Sequence, residues 1–416
     1  MIDLDALNVW NNQRLVGYLW RNQTSAIGFR YDPEWLARDG FAISHTLPPG
    51  SDDFTPEDGL AHRFFANLLP EGGVREQIVR DLKISNTDFN LLRAIGGECA
   101  GALSILPVEQ QPSPHYDYHP ISDEELANLV ARRGHVYTWS SNALPRLSLA
   151  GAQDKCPILV RDGNYLLPQQ ESPSSHILKF ELADYRHLPA YETFTTQLAK
   201  AVGLPVVDIQ LRSVGKTHYA LIERYDRLWD DSGQVQRLHQ EDFCQALGYG
   251  HERKYQGDGG PTFAQCYQLI QDVSSDPAND LQHLLRWQIF NVLAGNSDGH
   301  AKNLSLLYLA SGEIRLTPFY DLVCTRAIER IDYHLAFAVG DERNPGVITR
   351  KNWEFLASQC DIRPQFLLNQ VTEVATRLLD NLAATKTSFE SQYGTYPALQ
   401  RIEQLVSKQC RLCEVQ

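Results

Sequence analysis

At 416 residues the chain is long enough for two or three domains, each with its own core. Hydrophobic content of 43% and charged content of 21% suit a globular protein, and no apolar run approaches the roughly 20 residues that cross a bilayer. A formal charge of −13 argues against general adhesion to nucleic acid or anionic membrane, leaving at most a local basic patch. The opening "MIDLDALNVW" lacks the basic-then-apolar pattern of a signal peptide, so a cytoplasmic location and no membrane partner are expected.

Residues 1–107 read as a small sheet domain. Its strands are "RLVGYLW", "AIGFRYD" and "FAIS", followed by a helical stretch in "GLAHRFFANLLPEGGVREQIVRDL" and a closing strand in "AGALSILP". The Pro-rich "PVEQQPSPHYDYHP" reads as a linker, and "SDEELANLVARR" as a lone helix opened by a capping box at Ser122. Linker and helix together occupy 108–139. From 140 to 238 the pattern is strand-rich. "CPILVRDGNYLLP" is a hairpin turning at Asp162-Gly163, and "SHILKFE" is a further strand. "AYETFTTQLAKAVGLP" is an amphipathic helix stopped by Gly203 and Pro205, and "VVDIQLRSVGKTHYALIERYD" supplies two more strands. Residues 239–416 are mainly helical. The expected fold is α+β and bilobal, with an N-terminal β-rich subdomain and a mainly helical C-terminal lobe. Eight scattered cysteines do not form a disulfide framework, and the terminal CxxC of Cys410 and Cys413 reads as two reduced thiols on a frayed tail.

The stretch "NVLAGNSDGHAKNLSLL" (291–307) carries more chemistry than a turn requires. Asn296-Ser297-Asp298-Gly299 already supplies a turn; His300, Lys302 and Asn303 are in excess. Asp298 and Asn303 stand at the D-x-x-x-x-N spacing of a protein-kinase catalytic loop. There the Asp accepts the proton of the attacking hydroxyl, and the Asn ligates Mg²⁺ on the phosphates. Base and metal flank one phosphoryl group, so one short loop holds both. A second metal carboxylate, Asp321, follows the strand pair in "LSLLYLASGEIRLTPFYDL". Lys179 in "HILKF" lies on a strand just ahead of the amphipathic helix, the place of the phosphate-binding lysine, and Glu192 in that helix is its candidate partner. No G-x-G-x-x-G loop precedes the hairpin. "RLSLAGAQDKCPILV" stands in its place, with small residues Ser148, Ala150, Gly151 and Ala152 that let backbone N–H groups approach phosphates.

These stretches resemble the HipA-type serine/threonine kinase toxins of bacterial toxin–antitoxin systems. The matching motifs are "LSLAGAQDK", "HILKF", "LIERYDR", "QEDFCQ", "KYQGDGGP", "NSDGHAKNLS" and "LTPFYDL", with "FFANLLPEG" and "LLRAIGGECAGALSILP" in the first domain. Together they span roughly residues 10–325. The resemblance implies a protein-kinase-like fold with ATP and Mg²⁺ as cofactors. Asp298 would be the catalytic base, and Asn303 and Asp321 the metal ligands. Nucleotide would be held by Ala150, Gly151, Ala152, Gln153, Asp154 and Lys155 of the phosphate loop, and by Lys179. Glu223, Arg224, Tyr225 and Asp226 would hold it at the hinge, the last near the ribose. His300, Ala301, Lys302, Asn303, Tyr320 and Asp321 would complete the site. Ser148 would be an inactivating autophosphorylation site. The implied partners are a small helix-turn-helix antitoxin like HipB, operator DNA through that antitoxin, and a protein substrate of the translation machinery such as an aminoacyl-tRNA synthetase. The alternatives are a lipid or small-molecule kinase, or a catalytically idle, antitoxin-bound co-repressor.

Overall fold

The computed structural model describes residues 6–38, 40–50, 52–134, 148–151, 153–182 and 184–415, with side chains through residue 412. The N-terminal domain comprises β1 (Ala6–Asn11), β2 (Arg14–Arg21), β3 (Ile27–Tyr31), α1 (Pro33–Ala37), α2 (Leu60–Ala66), α3 (Gly72–Leu82), α4 (Asp88–Ile95) and β4 (Leu103–Pro107). Its sheet is antiparallel in the order β3-β2-β1-β4. Alternation in β1 turns Leu7 and Val9 inward, where Phe64, Phe65, Phe89 and Leu92 of the helices cover them.

Two expectations for this domain change. "FAIS" is not a strand, because the Tyr31 hydroxyl accepts from Ile43 N and donates to the Leu47 carbonyl. A side chain satisfies this backbone instead of a ladder. The long helical stretch is two helices, α2 and α3, broken around Pro70, which cannot continue a helix. The break has a use: Pro70 bridges Gly151, and Glu71 N donates to the Gly151 carbonyl at 3.1 Å.

The strand-rich lobe begins earlier than the sequence suggests. β5 (Tyr118–Pro120) pairs with β7, and α5 (Asp123–Ala131) packs Leu126, Leu129 and Val130 on the same sheet. The segment read as linker and helix is therefore partly structural, since Pro is tolerated in an edge strand. The sheet continues through β6 (Lys155–Arg161), β7 (Asn164–Pro168), β8 (His176–Phe180), β9 (Ile209–Val214) and β10 (Thr217–Glu223), in the order β5-β7-β6-β8-β10-β9. Asp162 (φ 51°) and Gly163 (φ 78°) form the hairpin turn with both central residues left-handed. Helix α6 (Leu188–Ala201) lies between β8 and β9 in sequence and ends ahead of Gly203, whose φ is 90°.

A small pair, β11 (Arg227–Trp229) and β12 (Val235–Arg237), leads into the last lobe. That lobe has β13 (His239–Asp242), α7 (Phe243–Ala246), α8 (Phe263–Val273), α9 (Pro277–Ala294), β14 (Ser305–Tyr308), β15 (Ile314–Leu316), α10 (Arg350–Gln359), α11 (Pro364–Tyr393) and α12 (Leu399–Val415). Trp287, Phe290, Leu378 and Val406 lie in its core, and Phe194 of α6 meets Phe389 of α11 edge to face at 5.5 Å. Cys410 belongs to this core on α12 rather than to a frayed tail. Among the described residues no helix is long and apolar enough to cross a membrane.

One buried carboxylate ties the N-terminal domain to the hinge. Glu98, fully buried between α4 and β4, accepts from Arg224 (3.0 Å), Arg227 (2.9 Å), Arg237 (2.7 Å) and both donors of Ser174 (2.9 Å). Burial opposes its charge, but Arg227, Arg237 and Arg224 outweigh burial and hold its carboxyl well below the usual range. Removing one partner of a buried pair leaves the others uncompensated, so Glu98→Gln is expected to lower the free energy of unfolding by about 3–5 kcal/mol in denaturant titration. A depressed folded pKa means that the contribution is complete at neutral pH and is lost progressively as pH falls below the ordinary glutamate range and through the lowered folded value. Equal stability of wild type and variant at pH 7 would contradict this role.

Candidate active site

Helix α9 ends at Gly295 (φ 74°), and the polar cluster begins there. Asn296 Nδ2 donates back to Asn291 Oδ1 at 3.0 Å, and Asp298 N donates to Asn296 Oδ1 at 3.2 Å. Ser297 N donates to Thr325 Oγ1 at 2.7 Å, and His300 N to Asn303 Oδ1 at 3.0 Å. The excess polar residues thus hold the loop in one shape. Gly299 has no room for a side chain: a Cβ would lie 2.6 Å from Asn291 Nδ2. The Asp298 carboxylate lines the interlobe cleft, with Oδ1 accepting from the Tyr255 hydroxyl at 2.6 Å. Burial raises its pKa, opposed by the Tyr255 hydrogen bond and by Lys254.

Across the cleft, Lys179 on β8 donates to Glu192 Oε1 of α6 at 2.7 Å and also contacts Asp321. Asn303 Nδ2 reaches Asp321 Oδ2 at 3.3 Å. Asp321 itself has φ 57°, a left-handed conformation costly to a residue with a Cβ. The donor chemistry fits Mg²⁺: a carboxylate and an amide stand side by side beside Asp298, facing a lysine. Lys155 pairs directly with Lys179 in the β6–β8 register, and burial together with Lys179 pushes its ammonium down to about 7. Two adjacent lysine ammoniums suit the phosphates of a nucleotide.

The cleft holds about 390 Å³. Ala150, Gly151, Gln153, Lys155, Lys179, Glu223, Arg224, Tyr225, Asp226, Asp298, His300, Lys302, Asn303, Tyr320 and Asp321 all line it. Ala152 lies outside the described residues. Asp154 and Ala301 do not line the cleft: Phe180 N donates to the Asp154 carbonyl, and Ala301 is buried with its N–H on Lys254 O. Gly151 has φ 110°, and a Cβ there would lie 2.9 Å from Lys155 Nζ, which donates to the Ala150 carbonyl at 2.6 Å. Tyr225 and Tyr320 stack at 5.7 Å on the hinge side.

Three expected roles change in geometry. The Asp226 carboxylate is taken by Arg224, Arg227 and Gly101 N rather than presented to a ribose. Arg224 is spent on Glu98, Asp226, Ser174 and the Cys99 carbonyl, so its guanidinium braces the hinge. Lys302 has three donors and three acceptors, Asn67 O, Asn67 Oδ1 and Asp242 Oδ2, at 3.1, 2.7 and 2.8 Å. It ties the 295–303 loop to the first domain, so its ammonium is already satisfied by protein acceptors. His300 is buried, and burial with Lys254 and Lys302 nearby keeps its imidazole neutral. Ser148 is fully buried, donating to the Leu68 carbonyl at 2.8 Å. Residues from outside the kinase motifs also line the cleft, among them Glu71, Lys254, Tyr255 and Gln240. The stretches "FFANLLPEG", "QEDFCQ" and "KYQGDGGP" are the visible signals for these four.

A family model for the HipA-like C-terminal domain matches residues 147–382, and one for the HipA N-terminal domain matches residues 7–106. The chain belongs to the HipA family. The serine/threonine-protein kinase toxin HipA of Shewanella oneidensis is 31% identical over 368 residues, covering 85% of this chain and 82% of that one. A protein of Sinorhizobium fredii is 34% identical over 384 residues, covering 91% of each. The solved complex of the Shewanella oneidensis toxin–antitoxin system HipA, HipB and its operator DNA contains a chain that superposes with a TM-score of 0.84. Identity there is 27%, with 98% of this chain and 97% of that chain covered. As a HipA-family member the chain is a kinase with the bilobal α+β fold.

The packing around Gly299 makes the HipA loop sensitive to one methyl. Gly299→Ala must displace Asn291, which holds Asn296. Displacement of the loop by about 1 Å would lower phosphotransfer by about 10²-fold. Adding Asn291→Ala should recover part of the loss in the same assay; unchanged single-variant activity would show that the loop is not so constrained.

Proposed function

We propose that this chain is the toxin of a type II toxin–antitoxin pair, a cytoplasmic, ATP- and Mg²⁺-dependent serine/threonine-protein kinase. Its acceptor is a hydroxyl on a protein of the translation machinery, of the aminoacyl-tRNA synthetase class. One observation carries the kinase chemistry: Lys179 joins Glu192 of α6 to Asp321, while Asp298 and Asn303 reach the same cleft from one short loop.

In this reading Lys155 and Lys179 hold the nucleotide phosphates, and Asn303 and Asp321 hold the metal. The metal would neutralise charge on the transferring phosphoryl group. Asp298 takes the acceptor proton as the acceptor oxygen bonds to phosphorus and the bond to the leaving ADP breaks. Tyr225 presents a backbone N–H to the adenine; among the described residues that N–H has no hydrogen-bond partner. The charge of −13 disfavours direct DNA binding, so a HipB-like helix-turn-helix antitoxin brings the chain to operator DNA. The Shewanella complex, which holds HipA with HipB and operator DNA, supports that partnership.

Asp298→Asn and Asp321→Asn should each lower transfer of labelled phosphate from ATP by about 10³-fold or more, because positioning and charge stabilisation supply nearly all of this catalysis. Wild-type turnover in both would sink the kinase assignment for this cleft.

Ser148 is read as the autophosphorylation site that switches the enzyme off. Its buried hydroxyl must leave the Leu68 carbonyl to be modified. A phosphate adding close to two negative charges cannot return to a buried site lined by a carbonyl oxygen. The expelled segment would carry Ala150 and Gly151 away from the cleft. Mass spectrometry should find phosphate on Ser148 in wild type and none in Asp298→Asn, and the separated phosphoform should bind ATP more weakly. Equal ATP affinity of both forms would overturn the switch.

A further inference from the structure

The motif "KYQGDGGP" folds into a tight loop whose purpose the kinase parts do not explain. The Tyr255 carbonyl accepts from both Asp258 N (3.1 Å) and Gly260 N (3.0 Å), closing the loop on itself. A Cβ on Gly260 would lie 2.0 Å from the Arg253 carbonyl, so the closure requires glycine there. The loop is also fastened outward on three sides. Ala301 N of the catalytic loop donates to the Lys254 carbonyl at 3.3 Å. Gln256 pairs with the 336–338 segment, through its N–H to Ala336 O and its Oε1 from Ala338 N. Lys254 Nζ meets Glu71 Oε2 of the first domain at 2.8 Å. From this framework the Tyr255 hydroxyl donates to Asp298 Oδ1.

We propose that Tyr255 is a positioning residue for the catalytic base: it fixes Asp298 through Oδ1 and leaves Oδ2 to take the proton of the acceptor hydroxyl. The inference rests on the reading of Asp298 as that base. Among the described residues Oδ2 takes no hydrogen bond, so the carboxylate is held by one oxygen and open at the other. A carboxylate able to rotate about its last torsion would present either oxygen, or neither, to the acceptor. Through Lys254 and Glu71 the first domain also enters the geometry of the base.

The hydrogen bond has an electrostatic sign. Around Asp298 stand Tyr255 and Lys254 on this loop, Glu71 on the first domain, His300 and Lys302 on its own loop, and Lys179 and Asp321 elsewhere in the cleft. Tyr255 and Lys254 lower the Asp298 pKa, while burial and Glu71 raise it. Loss of the hydroxyl removes a lowering contribution, so the base should be protonated at higher pH.

Tyr255→Phe keeps the ring against His300, where the centroids are 5.0 Å apart, and removes only the hydroxyl. The expected result is a kcat about tenfold lower or less, an acid limb of the kcat–pH profile displaced to higher pH, and an unchanged KM for ATP. In parallel, ¹³C-carboxyl titration of aspartate-labelled protein, with the Asp298 signal assigned by its loss in Asp298→Asn, should show the same upward displacement. A fall in kcat with no movement of the acid limb or of the carboxyl titration would reduce Tyr255 to ordinary packing and overturn the proposal. Wild-type protein without phosphotransfer would overturn the kinase reading, and with it the base; an unmoved carboxyl titration in active enzyme overturns Tyr255 alone.

Discussion

A single buried carboxylate, Glu98, sets the geometry on which the cleft depends. Its four hydrogen-bonding neighbours come from the hinge, from the strand β12 and from the residues ahead of β8. Three guanidiniums in one dry pocket would repel one another without it. With it they form a compact unit from which Tyr225 projects to stack on Tyr320. Buried ion pairs are poor sources of net stability, because desolvation offsets most of the attraction. What this one supplies is register: few other arrangements satisfy three arginines, Glu98 and Asp226 at once.

The cleft uses charge in the opposite way. At the hinge three arginines share two buried carboxylates, Glu98 and Asp226, whereas in the cleft two lysines face each other across β6 and β8 and a carboxylate sits in a left-handed conformation. Lys179 lies between Glu192 and Asp321, two acids of different lobes. Such a constellation is tolerated where a ligand completes it, and it is the physical reason that the kinase chemistry reads so directly from geometry.

The first domain is a working part of this arrangement. Asn67 accepts Lys302, Leu68 accepts Ser148, and Glu71 meets Lys254 and caps the phosphate loop at Gly151. All of these lie in or beside the "LLPEG" break between α2 and α3. Proline there ends one helix and turns a run of polar and carbonyl groups toward the other lobes.

Much of the fold was legible in the sequence because the strongest elements carry local signals. The hairpin at Asp162-Gly163 needs a turn with two left-handed residues, and α6 has a glycine stop. The kinase reading was legible for a similar reason: Asp298 and Asn303 lie on one loop, Lys179 on strand β8, and Asp321 just after the β14–β15 hairpin. Side chains with two possible duties were not legible. Asp226, Arg224 and Lys302 belong to motif segments, yet each is also engaged by a partner more than 120 residues away, Gly101 N, Glu98 and Asn67 respectively. The edge strand β5 hid inside a Pro-rich stretch because pairing with β7, not propensity, makes it a strand. Residue type and local spacing thus determined which groups could do the chemistry. Only tertiary contact decided which of them remain available to it, because a hydrogen bond or ion pair that satisfies a buried group also removes it from the cleft.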